Sequence, residues 1–469
     1  MKKTIVLTVA LFIITGIAGA MIYCNQAAAF DGKSAANANV YYVSPVGKDS
    51  NPGTITRPWK TIQYAADKLV AGDTLYIRKG TYNERVVPKN SGEAEKYILY
   101  SAYKWEKVTI DGKPVELPPA GEFGDLAGLF DISGKSYIKV NHLSIINALT
   151  DAGSNGILMN NSDHITISKN YINNTQSSGI GVWGCRDIIL DSNEIIRACS
   201  GGQQESISVA GTDTFEIKNN KVHDTDTPAD KEGICIKDGS TNGKVYKNLI
   251  YNVPASGIYV DAWDKHTYNI EVFGNIVHDI SNSDGFQAAS EMGGLLENIK
   301  FYNNIGYNNK FRGLTVTRNG DEGGQHPMKD IDITNNTFYN NGDEWGGGVA
   351  MDNPEAEGVV IRNNICSQNR SFEISVSVDV PAQNTTIENN LLYSYKSDSE
   401  DGEVTGVDFV DEDPLFVNAA KGNFHLWRKS PAIDKGSAVD APGYDFDGKA
   451  RPQNDKYDIG AFEYGIRLF

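Results

Sequence analysis

Residues 233–275 read GICIKDGSTNGKVYKNLIYNVPASGIYVDAWDKHTYNIEVFGN, and the second half of this stretch repeats the first. Gly233-Ile234-Cys235-Ile236 returns as Gly257-Ile258-Tyr259-Val260, and each unit carries an Asn after its next strand, at Asn248 and Asn275. The pattern extends in both directions. The same strand reads GILMN at 156, GIGVW at 179, SISVA at 206, GFQAA at 285, GLTVT at 313 and GVAMD at 348. The matching Asn positions are 170, 193, 220, 248, 275, 304, 336, 364 and 390, at intervals of 23 to 32 residues. Short β-branched strands with period-two alternation, repeated at this spacing with no helical pattern between them, predict an all-β fold: a single-stranded parallel β-helix. Coils of such a solenoid stack about 4.8 Å apart. An Asn at the same bend of every coil can bond the amide above and the amide below, so the nine Asn residues read as an internal ladder with a structural role.

The ends differ from the middle, because a stack of coils exposes its core at each end unless capped. Trp59 to Ala71 (WKTIQYAADKLVA) has apolar residues at helical spacing and predicts an amphipathic capping helix over about 59–71. Before it come YYVS at 41 and the turn-forming KDSNPGT at 48; after it comes TLYIRKGTYNERV. From about residue 401 the Asn repeat stops, and DPLFVN, FHLWRKSPAIDKGS, DFDGKARP and DIGAFEY follow. The expected organisation is an export signal over 1–29, a β-helix with its N-terminal cap over 30–400, and a closing segment over 401–469.

Lys2 and Lys3 precede an apolar run from Thr4 to Tyr23, and Gln26-Ala27-Ala28-Ala29 offers the small residues of a signal-peptidase site before Phe30. A secreted, extracellular protein of bacterial type is expected, with an uncleaved anchor as the alternative. The 469 residues carry 60 Asp+Glu against 43 Lys+Arg, a net charge of −17. Cleavage would remove two lysines and no acid, leaving −19. Such acidity excludes nucleic acid and anionic membrane surfaces as partners, since both demand clustered Lys and Arg. Cys185, Cys199, Cys235 and Cys366 show no C-x-x-C spacing, so buried free thiols are expected, a Cys185–Cys199 bridge being the alternative. Nothing signals oligomerisation, and a monomer is expected.

The opening YYVSPVGKDSNPGT, PWKTIQYAAD and GDTLYIRKGTYNE resembles the first coil of secreted bacterial right-handed parallel β-helix proteins, the pectate-lyase-like superfamily. The ending DPLF, SPAIDKG, DFDGKARP and DIGAFEY is similar to the terminal segment of the same group. The resemblance implies a right-handed solenoid and a carbohydrate-active protein, in a group that spans lyases, glycoside hydrolases, epimerases and proteins of no known reaction. It also implies that the face of the Gly-Ile-x-Val strand lines the substrate groove.

In that strand the second and fourth residues are apolar and point inward, so the third and fifth point out. Three neighbouring coils are chemically dense: Lys237 and Asp238, then Tyr259, Asp261, Trp263 and Asp264, then Glu291, with Arg318 one coil further. Lys237 and Asp261 share a column in adjacent coils and are expected to touch. Clustered carboxylates repel unless a cation sits among them, and Ca²⁺ held by Asp238, Asp261, Asp264 and Glu291 is the expected cofactor. A uronic-acid polysaccharide would then be cleaved by β-elimination: the metal neutralises the uronate, Lys237 takes the α-proton, Arg318 assists, and Trp183, Tyr259 and Trp263 hold sugar rings. A glycoside hydrolase using Asp261 or Asp264 with Glu291 is the alternative. A non-catalytic glycan- or calcium-binding surface protein is a second. His223, His266 and His278 lie on separate coils and read as turn or surface residues. In DFDGKARP, a hydrogen-bonded turn is preferred over a Ca²⁺ site at Asp445 and Asp447.

Overall fold

A computed structural model describes residues 38–119, 126–201, 204–225, 231–320, 324–394 and 403–465, so the expected signal over 1–29 lies outside the described residues. Each central coil contributes one strand to each of three parallel sheets, of thirteen, twelve and ten strands, and the coils at the two ends contribute fewer. One full turn runs through Thr241–Tyr246, Leu249–Tyr251 and Ile258–Ala262, in the thirteen-, twelve- and ten-stranded sheets respectively. The fold is a right-handed parallel β-helix. Inward residues such as Ile234, Ile236, Ile258 and Val260 are fully buried and stack into one continuous core. The registers place Ala210 opposite Lys237, Cys235 opposite Tyr259, Asp261 opposite Ala289 and Ala289 opposite Thr317, so the outward columns run as the repeat spacing predicts.

The Asn ladder is continuous from Asn170 to Asn390. In a typical step, Asn275 Oδ1 accepts from both the backbone N–H and the side-chain amide of Asn248 at 3.0 Å, while its own Nδ2 donates to Val245 O (2.9 Å) and Asn304 Oδ1 (3.0 Å). The residue before each ladder Asn, from Lys169 to Asn389, has φ between 53° and 61°. That left-handed residue bends the chain from the first sheet into the second, and only at Gly274 is it a glycine. A second buried ladder, Asn309–Asn341–Asn369, runs at the next corner and ends on Glu373. On the outer face of the twelve-stranded sheet His223, Tyr251, His278 and Tyr307 form a ring stack at 4.7–5.1 Å, which accounts for two of the histidines; His266 meets Glu297 at 3.0 Å on the surface.

The N-terminal helix is shorter than its apolar spacing predicts. It spans Ile62–Ala66, because Asp49 accepts the N–H groups of Lys60 and Thr61, and Thr61 then caps the first turn. Trp59 is held outside the helix by its stack on Tyr41. Ile62, Ala65, Ala66 and Leu69 are buried beside the first coil.

The C-terminal segment has two parts. Val407 and Val410 bridge in parallel to Glu388 and Leu391 and extend the last coil. The chain then turns back along the outside. Asn303, Asn335 and Asn363, one from each of three successive coils, donate to the carbonyls of Tyr444, Asp458 and Ser437. Arg451 and Glu463 form a fully buried ion pair at 2.8 Å inside this strap, and Asp445 accepts the Lys449 and Glu463 N–H groups, so DFDGKARP is a hydrogen-bonded turn. All four described cysteines are buried and free; Cys185 and Cys199 are not bridged. Among the described residues no helix is long and apolar enough to cross a membrane.

Candidate functional site

On the outer face of the ten-stranded sheet, two successive strands, Ile234–Lys237 and Ile258–Ala262, form the floor of a cavity of about 600 Å³. Seven of the eight residues singled out on these and the next two coils line it: Lys237, Asp238, Tyr259, Asp261, Trp263, Asp264 and Glu291. Arg318 does not. It sits two coils beyond Asp261 in a separate hollow of about 710 Å³, where it meets Asp379 at 3.3 Å beside Trp345 and Asp352. Trp183 lies two coils before Lys237 in the same column, roughly 10 Å away at the coil spacing, and its ring folds over Gly181, where even a Cβ would clash.

The expected contact between Lys237 and Asp261 is not made. Lys237 Nζ reaches back one coil instead and binds both carboxylate oxygens of Glu205 at 2.9 Å, with Gln204 Oε1 at 3.3 Å. A lysine stem is long enough to choose between neighbours, and Glu205 is itself fixed over the strand by Ser208. Burial alone would lower the Lys237 pKa, but Glu205 foremost, with Cys235 and Asp261, outweighs it and pushes it up, so the ammonium stays charged. A charged amine is no base.

Asp261 is the opposite case. Only 3% exposed, it has one oxygen, Oδ1, without a hydrogen-bond partner, and its nearest donor to Oδ2 is the Cys235 thiol at 3.9 Å. Burial first and the Glu291 carboxylate second push its pKa well above the usual carboxylate range, in the direction that favours the protonated acid. Glu291 accepts from the Tyr259 hydroxyl, which also accepts from Asn319 Nδ2 at 2.8 Å. Tyr259 points out of the core as its column predicts, yet is 5% exposed, so its ring is not a surface for a sugar; its hydroxyl is what it brings to the site. Trp263, 49% exposed, does present an indole face.

Two carboxylates escaped the sequence reading. Glu205 and Glu232 each occupy the position just before the first residue of a Gly-Ile-type strand, in adjacent coils, and both line the cavity. Burial and the Glu205 charge push Glu232 up to about 7. The same offset holds Asp284 and Arg312 in later coils, joined at 3.3 Å. A column at that offset was readable from the repeat.

Calcium takes six to eight oxygen ligands. Among the described residues, no group of three His, Cys, Asp or Glu stands close enough to hold a metal ion. Glu291 is turned to Tyr259 and Glu205 to Lys237, while Asp238 and Asp264 sit at the rim, so the expected ligand set does not converge and the residues do not fit a Ca²⁺ centre.

Residues 41–200 match the right-handed β-helix region of Pel9A-like proteins, and residues 132–271 match a general right-handed β-helix region. The crystal structure of pectate lyase Pel9A superposes with a TM-score of 0.56 at 15% identity, covering 91% of this chain and 96% of that one. Over residues 41–271 the chain is similar to the pectate-lyase-like right-handed β-helix superfamily, and it has that superfamily's fold. Within and around that superfamily, XylC in complex with xylose superposes with a TM-score of 0.55 at 14% identity, over 91% and 99% of the two chains. An uncharacterized Bacillus subtilis protein, YwoF, is 27% identical over 475 residues, 90% of this chain and 97% of its own. Pectate lyase PEL9 of Emericella nidulans is 33% identical over 144 residues, but this chain spans only 35% of its length. The Pel9A-like match stops at residue 200, ahead of Glu205, Lys237, Asp261 and Glu291. It therefore speaks for the scaffold and not for these side chains.

Proposed function

We propose that this chain is an exported polysaccharide-active protein that hydrolyses glycosidic bonds in the cavity over Asp261. The observation that carries this reading is the pairing of unlike carboxyl groups in adjacent coils. Asp261 is buried and partly unpartnered, with its pKa pushed up by burial, while Glu291, one coil on, is oriented by the Tyr259 hydroxyl. Two carboxyl groups whose environments separate their roles are what glycoside hydrolysis needs. Asp261 gives its proton to the glycosidic oxygen as the carbon–oxygen bond breaks. Glu291 acts on the anomeric carbon, directly or by taking a proton from the attacking water; the sum is addition of one water. Lys237, charged and clamped by Glu205, places a fixed positive charge in the cavity and donates hydrogen bonds. Trp263 offers a face for an apolar sugar surface. With six acidic residues against three lysines lining the cavity, a neutral glycan is the favoured substrate class.

Calcium-dependent β-elimination with Lys237 as base is the second reading. The Pel9A-like match and the pectate lyase relative favour it. The charge on Lys237 and the scattered ligands weigh against it. The deciding assay incubates the protein with xylan, arabinan, pectate and alginate, and reads reducing ends separately from absorbance near 235 nm. Reducing ends without new absorbance, slowed about 10²- to 10⁴-fold by Asp261→Asn, are expected. Unsaturated product abolished by a chelator and by Lys237→Ala would establish the lyase instead. Inactivity on every polymer together with retained glycan binding would leave the non-catalytic binder.

A further inference from the structure

The outer face of the thirteen-stranded sheet carries two side-chain ladders that end one coil apart, the rings at Tyr302 and the charges at Asp332. In one, the rings of Tyr246, Phe273 and Tyr302 stack at 4.8 Å with interplanar angles of 4° and 1°. The next residue in that register is Thr334, so no ring covers the far face of Tyr302. In the other, Glu216, Lys244, Glu271, Lys300 and Asp332 alternate in charge, and the register then reaches Val360. Asp332 meets Lys300 of the previous coil at 3.8 Å, lies within reach of the Arg362 charge from the next coil, and receives no hydrogen bond among the described residues. Over this double terminus the returning C-terminal strap holds Tyr444 and Asp440. A cavity of about 400 Å³ remains between strap and sheet. Its volume lies in the range of small-ligand sites. Tyr444, 65% exposed, forms an aromatic wall of it and is not packed against another ring.

We propose that this cavity is a second glycan-binding site, distinct from the acidic cavity on the ten-stranded sheet, that takes the end of a neutral oligosaccharide. The open faces of Tyr302 and Tyr444 suit the C–H face of a pyranose ring, and Asp332 and Asp440 are acceptors for its hydroxyls. The lining carries more carboxylates than lysines, which disfavours a uronate or phosphate. The strap creates the site: without residues 440–448 the ladder ends would lie open on a flat sheet face. A site here would anchor the protein on a polymer while the other face works on it, and it does not depend on what reaction the acidic cavity performs.

The test is calorimetric titration with xylotetraose and cellotetraose, with tetragalacturonate as the charged control. It is run on the Trp263→Ala protein, in which the acidic cavity has lost its exposed indole. Binding of a neutral tetrasaccharide is expected to persist in that background. Adding Tyr444→Ala, or the isosteric Asp332→Asn, should weaken it about tenfold, the loss of one stacking or charged hydrogen-bonding partner, with the melting temperature unchanged. Tyr444 is exposed and Asp332 lies at the surface, so both variants should fold. Absence of binding in the Trp263→Ala background, or an affinity unmoved by both second substitutions, overturns the proposal. Because the readout is binding, loss of the hydrolase reading would leave this result intact.

Discussion

Replacing Asn275 by Ala tests whether the Asn ladder holds the solenoid together. The side chain is fully buried and makes four hydrogen bonds: two accepted on Oδ1 from Asn248, and two donated from Nδ2 to Val245 O and Asn304 Oδ1. Truncation leaves those partners without a replacement, in a space with no apolar group to fill it. At about 1 kcal/mol for each buried bond removed, the loss should be about 4 kcal/mol. The terminal Asn390 makes three such bonds, so Asn390→Ala should cost about 3 kcal/mol by the same reckoning. Urea unfolding followed by far-ultraviolet circular dichroism gives both values from the shift in midpoint at constant slope. Amide exchange adds a local readout: the Asn248 N–H, which donates to Asn275 Oδ1, should lose protection first. A loss below about 1 kcal/mol for Asn275→Ala, with Asn248 still protected, would show that the ladder amides are not what holds this corner.

Glu205→Gln should destabilise by about 3–5 kcal/mol, because it strands the buried Lys237 ammonium; Lys237→Met added to it should recover most of the loss in a double-mutant cycle, and a purely additive cycle would refute the pairing. Burial pushes Asp458 up to about 7 in the folded protein, against about 4 unfolded. The folded state therefore keeps a proton that the unfolded chain has lost. That contribution is whole below pH 4 and fades as pH rises through 7, with a slope of up to about 1.4 kcal/mol per pH unit. Asp458→Asn should flatten that slope in thermal melts taken from pH 4.5 to 7.5, and an unchanged slope would exclude Asp458 as its source. The four buried thiols should resist an aromatic disulfide reagent in the native protein and react in urea; rapid native reaction of Cys235 would mean that the floor of the acidic cavity is open.

What could be read from the chain follows the repeat. Ile234, Cys235, Ile236 and Lys237 fall in the columns their spacing predicts, because the pleat fixes direction and stacking fixes register. Direction is not exposure: Tyr259 points away from the core and is still covered, by Glu291 and Asn319 from later turns. Register is not contact either, and Lys237 meets Glu205 of the previous coil rather than the column neighbour Asp261. Arg318 comes one residue after the column position and falls into the next hollow. Glu205 and Glu232 were hidden in turns, where the hydrophobic alternation carries no signal, although their shared offset from the strand could have been followed. The strap over residues 414–465 could not be anticipated, since its partners are turn amides of Asn303, Asn335 and Asn363 and it obeys no repeat.

That strap changes how the molecule bears load. A column of coils bonded only to the coils above and below can be peeled from a free end, one rung after another, at the small force needed to open a single rung. Here the three rungs that carry Asn303, Asn335 and Asn363 are lashed together along their side, and the lashing is knotted by the buried Arg451–Glu463 pair. A pull on the C-terminus is therefore shared across three rungs in parallel, and they must give way together. A protein working on a polymer that drags at it would keep its last coils closed by this means.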